Sequence, residues 1–487
     1  MSIEDQSQEK LVERAMSAFR WVAALRFVGQ VISWVSTIFV IRFLSPEDYG
    51  VISLAEVFRV FLIFFSAMGL GQGLVKVDKL TPSLVQKTLG LIVLINIGLF
   101  TLQFFSAPYV AAFYNNEDLE LVLQVLAFTY LFIPWTDVPQ SLIARNLDHK
   151  LTSKVTFLSA ILSSALSLTL AYMGFGYWAL VAAVVFTMAF DCIGFNFLIS
   201  YRRIPSFSLN GVGEIFRFGA LIAVGDLIYV AYSKVDVAIA GKFFSVAEVG
   251  LYGVAIQLST MLMSKSIPLF KTVAFPAFAR MEAGSDDSNG YLVTTLRFAT
   301  MLIFPVFIGV ALVAEDLIGI VLGSKWTEIS LVFSILVVSV PFRIVAYVMT
   351  PAVLAAGGAR LDMVNSLITL VFLTGGIFLL LPMGFEGVAL AWSLTSLCLF
   401  LLAVIRGGRL LNIPAGRLFG TLWPALPVTL LMCFVVLIVD TNFPDITGVL
   451  ALYKIPLAAA VYALVFWTLF RTRSLELIRV TRRLLGK

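Results

Sequence analysis

The sequence predicts an all-α polytopic membrane protein of about 14 transmembrane helices. These are expected to form two parallel six-helix lobes around a central cleft, plus two extra C-terminal helices. Three observations predict it. Of 487 residues 60% are hydrophobic and 13% charged, with a mean hydropathy of +0.98, whereas soluble chains are about half apolar and about a quarter charged. The apolar residues fall in long runs between clusters of charge and Gly, Pro or Asn, each near the roughly 20 residues that cross a hydrocarbon core. A block starting at residue 42 returns, without gaps, at residue 242.

In chain order the helices are expected at 19–44, 49–75, 84–113, 118–144, 152–173, 176–200, 213–241, 247–280, 291–322, 328–357, 361–381, 384–405, 418–439 and 450–470. Each ends at a charged cluster or a helix breaker. The runs are too continuously apolar for the alternation of a membrane barrel. With residues near helix ends counted in the adjoining loop, the tails and even-numbered loops carry 22 of the 34 Lys and Arg, the odd-numbered loops carry only Arg42, Lys242, Lys325 and Lys454, and the other 8 lie further inside expected helices. The positive-inside rule then puts both termini in the cytoplasm. The expected domains are a cytoplasmic amphipathic tail (1–18), an N-lobe (19–205), a C-lobe (206–412), helices thirteen and fourteen (413–472) and a basic cytoplasmic tail (473–487). That last tail reads as a helix lying on an anionic leaflet. The first twenty residues are polar and mixed in charge, so no cleavable signal peptide is expected.

The repeat aligns RFLSPEDYGVISLA at 42–55 with KFFSVAEVGLYGVA at 242–255, keeping Phe43/Phe243, Ser45/Ser245, Gly50/Gly250 and Ala55/Ala255. A second match joins MGFGYWAL at 173–180 to MGFEGVAL at 383–390. An even number of helices separates the copies, so they share one orientation, as in transporters built from parallel repeats.

A charge at the bilayer centre costs about 2.5–3.5 kcal/mol on insertion scales, so each intramembrane charge needs a reason. Arg26, Gln30, Ser33 and Thr37 form a stripe on the first span, and Glu56 and Arg59 can pair on the second. Asp226, Tyr229, Ser233 and Asp236 repeat the stripe on the seventh, beside Lys234; Lys265 and Lys271 lie on the eighth. Arg297 and Arg343 follow on the ninth and tenth, and Asp137 and Asp191 are acidic singles in the N-lobe. A lone polar group in such a helix commonly packs or snorkels, but the basic excess suits an anionic substrate. The substrate-binding residues are therefore expected to be Arg26, Gln30, Glu56, Arg59, Lys234, Lys265, Lys271, Arg297 and Arg343, with Asp226 and Asp236 as ion-coupling groups.

No catalytic, cofactor or metal site is expected. The sequence has no GxxxxGK[ST], HExxH or GxSxG. Cys192, Cys398 and Cys433 lie in apolar runs without CxxC spacing, and His149 is the one histidine.

The block at 42–55, its echo KVDVAIAGKFFSVAEVGLYGVA at 234–255 and PAFARM at 276–281 resemble the bacterial polysaccharide exporters of the Wzx type. The similarity is to their colanic-acid branch, within the superfamily of multidrug and oligosaccharidyl-lipid exporters. The resemblance implies an inner-membrane flippase working by alternating access. Its substrate would be an undecaprenyl-pyrophosphate-linked oligosaccharide destined for exopolysaccharide, capsule or O-antigen. It further implies a cationic cavity on Arg26, Arg59, Lys234 and Lys265. The implied partners are membrane lipids and the polysaccharide polymerase and export machinery, with no nucleic acid. A cation-coupled multidrug antiporter is the alternative, and its site should show acids with little basic competition. A membrane-embedded polymerase or ligase should carry a large periplasmic loop with basic or histidine catalytic groups.

Overall fold

The computed structural model describes residues 28–67, 69–77, 79–145, 149–199, 204–208, 210, 213–278, 286–423, 425–442 and 452–469. No strand occurs among them, and ten helices are long and apolar enough to cross a membrane. The chain forms two compact units, 1–250 and 251–487.

The first unit contains α1 (Val28–Phe43), α2 (Pro46–Ala67), α3 (Leu70–Lys76), α4 (Pro82–Tyr114), α5 (Asp118–Ala127), α6 (Thr129–Arg145), α7 (His149–Tyr172), α8 (Trp178–Ile199) and α9 (Gly213–Phe243). It also holds the first turn of α10 (Val246–Phe278).

Capping chemistry explains the repeated block. Ser45 and Asp48 exchange bonds at the start of α2, with Ser45 N–H donating to Asp48 Oδ2 (2.9 Å) and Asp48 N–H to Ser45 Oγ (3.2 Å). Ser245 and Glu248 do the same for α10, at 2.8 and 3.3 Å. Each is a capping box, which satisfies donors that a helix start leaves without partners. The retained glycines have a second cause. A Cβ on Gly50 would stand 1.9 Å from the Val246 carbonyl oxygen, and one on Gly250 would stand 1.8 Å from that of Pro46. The two copies of the block thus meet at their own equivalent glycines, where only a hydrogen fits. In the second repeated block Gly174 and Gly384 both take positive φ, +82° and +73°, a conformation glycine adopts without steric cost.

Two expected helices of this unit are interrupted. The second stops at Ala67 and resumes as α3 after Gly69, whose φ is +64°. Asn96 of α4 donates to the Ser66 carbonyl there at 2.8 Å. The fourth breaks at Phe128, beside which the Thr129 hydroxyl takes the Leu126 carbonyl at 2.6 Å. Ser and Thr side chains compete with helical bonds in this way. Leu70, Leu74, Leu89, Ile92 and Val138 pack α3, α4 and α6 together.

The second unit continues α10 and adds α11 (Asp286–Leu312), α12 (Ala314–Val321), α13 (Ser330–Ala355), α14 (Ala359–Leu380), α15 (Gly384–Leu402), the short α16 (Gly408–Leu410) and α17 (Ala415–Phe419), α18 (Ala425–Asn442) and α19 (Lys454–Leu469). The expected ninth helix is divided at Val313 into α11 and α12. Most of α13 is buried, which makes it the core of this unit. Met301, Val428 and Phe466 pack α11, α18 and α19.

Candidate functional site

Polar side chains inside an apolar bundle first have to satisfy backbone groups, since no water is there to do so. Much of the intramembrane polarity has this role. Pro139 in α6 removes the N–H that would bond the Trp135 carbonyl, and Asn196 of α8 donates to that carbonyl at 2.5 Å. Pro305 in α11 frees the Met301 carbonyl, which accepts from the Tyr462 hydroxyl of α19 at 2.8 Å. Arg145, at the end of α6, donates to the carbonyls of Leu74 and Val75 at 3.0 and 3.1 Å, closing α3.

Glu56 and Arg59 do something else. They stand one turn apart on α2 and form a bidentate pair. Arg59 Nε donates to Glu56 Oε1 and its terminal nitrogen to Oε2, both at 2.9 Å. The side chains keep 14% and 25% of their surface exposed, Arg59 first. Behind them Tyr130 of α6 donates to Gln103 Oε1 at 2.8 Å, and Gln103 donates to the Leu123 carbonyl at 2.8 Å. The support is fully bonded and buried, so the pair rests on a rigid base while its outer edge stays accessible. An arginine fork matches phosphate oxygens, and a carboxylate already held there shows that the geometry accepts an oxyanion pair.

The other expected residues are dispersed. Arg26 lies outside the described residues. Gln30 is half-buried on α1 and Lys234 half-buried on α9, where it forms no ion pair among the described residues. Asp236 is fully buried on α9 and its Oδ1 accepts from the Val237 N–H at 2.8 Å. Asp226, Lys265 and Lys271 belong to α9 and α10, with side chains outside the described set. Arg297 is half-buried on α11. Arg343 is buried on α13, its guanidinium 4.6 Å from the Trp392 ring centroid, a cation–π stack. Of the expected set, the structure brings Glu56 and Arg59 into contact.

Two clusters were not foreseen from the sequence. Lys454, at the start of α19, bridges Asp316 of α12 (3.0 Å) and Asp440 of α18 (2.7 Å). All three flank odd-numbered loops, and their opposite charges on one membrane side are the signal that pointed there. Asp137 of α6 lies against Gly71 of α3 beside Ser141. Its sequence signal was an acid at mid-span with no base nearby.

Comparison with known proteins gives consistent results. The family model described as "Polysaccharide biosynthesis protein" matches residues 39–331. The chain is 25% identical over 354 residues to the teichuronic acid biosynthesis protein TuaB of Bacillus subtilis, covering 72% of this chain and 73% of that one. It is 22% identical over 341 residues to the lipopolysaccharide biosynthesis protein WzxC of Escherichia coli, covering 67% of each. Among solved structures it resembles a lipid II flippase MurJ in an inward closed conformation. The TM-score is 0.73 at 15% identity, over 93% of this chain and 99% of that one, a likeness of fold.

Proposed function

The chain belongs to the polysaccharide biosynthesis protein family, and on that premise we propose that it is a flippase for a lipid-linked oligosaccharide. It is a multi-pass membrane carrier and not an enzyme. The substrate is an undecaprenyl-pyrophosphate-linked glycan of exopolysaccharide, capsule or O-antigen assembly, moved across the bacterial inner membrane with both termini in the cytoplasm. The polymerase and export machinery act on what it delivers.

Arg59 carries this reading. A pyrophosphate cannot cross hydrocarbon unaided, because burying unpaired charge is prohibitive. It needs a cation already placed within the span, and that cation must itself be tolerated when no substrate is present. Glu56 provides that tolerance through its two 2.9 Å bonds. When the pyrophosphate arrives, its oxygens replace the Glu56 carboxylate on the guanidinium fork, and the polyprenyl tail remains in lipid. Arg26, Gln30, Lys234, Lys265, Lys271, Arg297 and Arg343 complete the proposed substrate path, with Asp226 and Asp236 as coupling groups.

Deleting the gene should make lipid-linked repeat units accumulate on the leaflet where they are made; an unchanged leaflet distribution would rule out flipping. Arg59→Ala should slow export by about ten- to a hundred-fold, the value of a charged hydrogen-bond pair of about 1.5–3 kcal/mol. The protein should still be present and folded. Export at the wild-type rate would refute the role of Arg59.

A further inference from the structure

Asp137 is a titratable group that the substrate path does not use. It sits in the middle of α6, between Pro134 and Pro139, in a span that runs from Asp118 to Arg145. Asp137 is half-buried; its Oδ2 is buried and accepts no hydrogen bond from the described residues. Facing it is the resumed helix α3, just past the break at Gly69. A Cβ on Gly71 would stand 2.6 and 2.9 Å from the two Asp137 oxygens and 2.4 Å from Ser141 Oγ. The absent side chain at Gly71 therefore makes the room in which the carboxylate lies.

Several of the neighbouring charges are committed elsewhere. On α2 Glu56 and Arg59 hold each other. Lys87 of α4 donates to the Asn210 carbonyl at 2.8 Å, and Arg145 of α6 is bonded to carbonyls at the end of α3. Asp118 and Glu120 of α5 accept from Tyr177 and Gln124. Lys76 follows on α3, His149, Lys150 and an exposed Lys154 are on α7, and Asp191 is half-buried on α8. None of the described residues forms an ion pair with Asp137.

An ionised carboxylate enclosed without a counter-charge is costly by several kcal/mol, and an acid inside a span is by default a functional one. Two routes would neutralise it. A bound alkali cation needs a shell of several oxygens; against Gly71 the described oxygens are those of one carboxylate and one hydroxyl. A proton needs one oxygen. We propose that Asp137 is a proton-exchange site: Oδ2 takes a proton from water on one side of the membrane, is neutral as Asp137 carboxylic acid, and returns the proton to water on the other. Ser141 Oγ can accept from the acid or donate to the carboxylate, so it suits both states. The hinge-like surroundings, two prolines in α6 and the interrupted α2–α3 segment, give the site a backbone able to change with its charge. Coupling of this exchange to glycan flipping rests on the flippase reading; the exchange itself does not.

The test separates the two. Dicyclohexylcarbodiimide modifies protonated carboxyls in apolar surroundings, so the purified full-length protein is labelled across a pH series and the modified residue located by mass spectrometry. Asp137 should be labelled, with a rate falling about tenfold per pH unit above its midpoint. Ser141→Ala should move that midpoint, and Gly71→Ala should suppress labelling by pressing a methyl against the carboxylate. Labelling independent of pH, or none at Asp137, overturns the proposal, as does protection by sodium at constant pH. In vesicles, Asp137→Asn should retain downhill flipping of a fluorescent polyprenyl pyrophosphate while losing its response to an imposed pH gradient. A response equal to wild type would overturn coupling at Asp137 and leave that role to Asp226 and Asp236 alone. Absence of all flipping in the wild type together with pH-dependent labelling would sink the flippase reading and leave the proton site standing.

Discussion

Arg59 and Lys454 are both cations largely enclosed by helices, and they are neutralised in different ways. Arg59 meets Glu56 on its own helix, three residues away, by two bonds of 2.9 Å. Lys454 meets Asp316 of α12 at 3.0 Å and Asp440 of α18 at 2.7 Å. A pair at i, i+3 is set by the geometry of one helix and ties that helix to nothing else. A cation shared between two carboxylates from other helices fixes where three segments meet. The first can open without disturbing packing. The second cannot, because any partner removed leaves uncompensated charge. Opposite charges thus make a pair confined to one helix in one unit and a clamp joining three helices in the other, and connectivity decides which.

The largest test of that contrast is Lys454→Ala. It leaves two carboxylates facing each other and should destabilise the protein by about 2–3 kcal/mol, read as a lower thermal unfolding midpoint in detergent. A midpoint equal to wild type would erase the distinction. Replacing the whole triad, as Lys454→Met with Asp316→Leu and Asp440→Leu, should restore most of the loss, since an apolar cluster replaces a partly enclosed ion cluster at little net cost.

Arg59→Ala should cost less, about 1–2 kcal/mol, because Glu56 retains some exposure when left alone. A larger loss than that of Lys454→Ala would invert the comparison. The smallest effect is expected of Glu56→Gln, a change in stability of at most about 1 kcal/mol. That variant should bind a fluorescent polyprenyl pyrophosphate at least as tightly as wild type, because the competing carboxylate is gone. Weaker binding would mean that Glu56 orients Arg59 instead of shielding it.

The helices and their starts were legible in the sequence. The second helix was expected from residue 49 and starts at Pro46, because the S-x-x-D/E pattern in both copies of the repeat is a capping box; the family indicated by those blocks is the one that the family model matches. The Glu56–Arg59 pair was legible for the same reason, since helical geometry alone brings residues three apart together. The interruption at Gly69 was not, because a glycine inside an apolar run reads equally well as helix. Nor was the purpose of Asn96, Asn196 and Tyr462, whose acceptors lie 30, 61 and 161 residues away in sequence.

Hydropathy, caps and charge placement act within a turn or two, or across the thickness of one membrane, so the sequence alone determined that this chain inserts as a series of helices and where most of them begin. Which freed carbonyl each polar side chain satisfies, that Lys454 joins three helices, and that Asp137 lies opposite Gly71 with no counter-ion among the described residues were decided only by the tertiary structure. Those facts depend on how helices are rotated, broken and set against one another. A buried charge is stabilised or left unpaired by neighbours within a few ångströms, and neighbours at that range are chosen by packing.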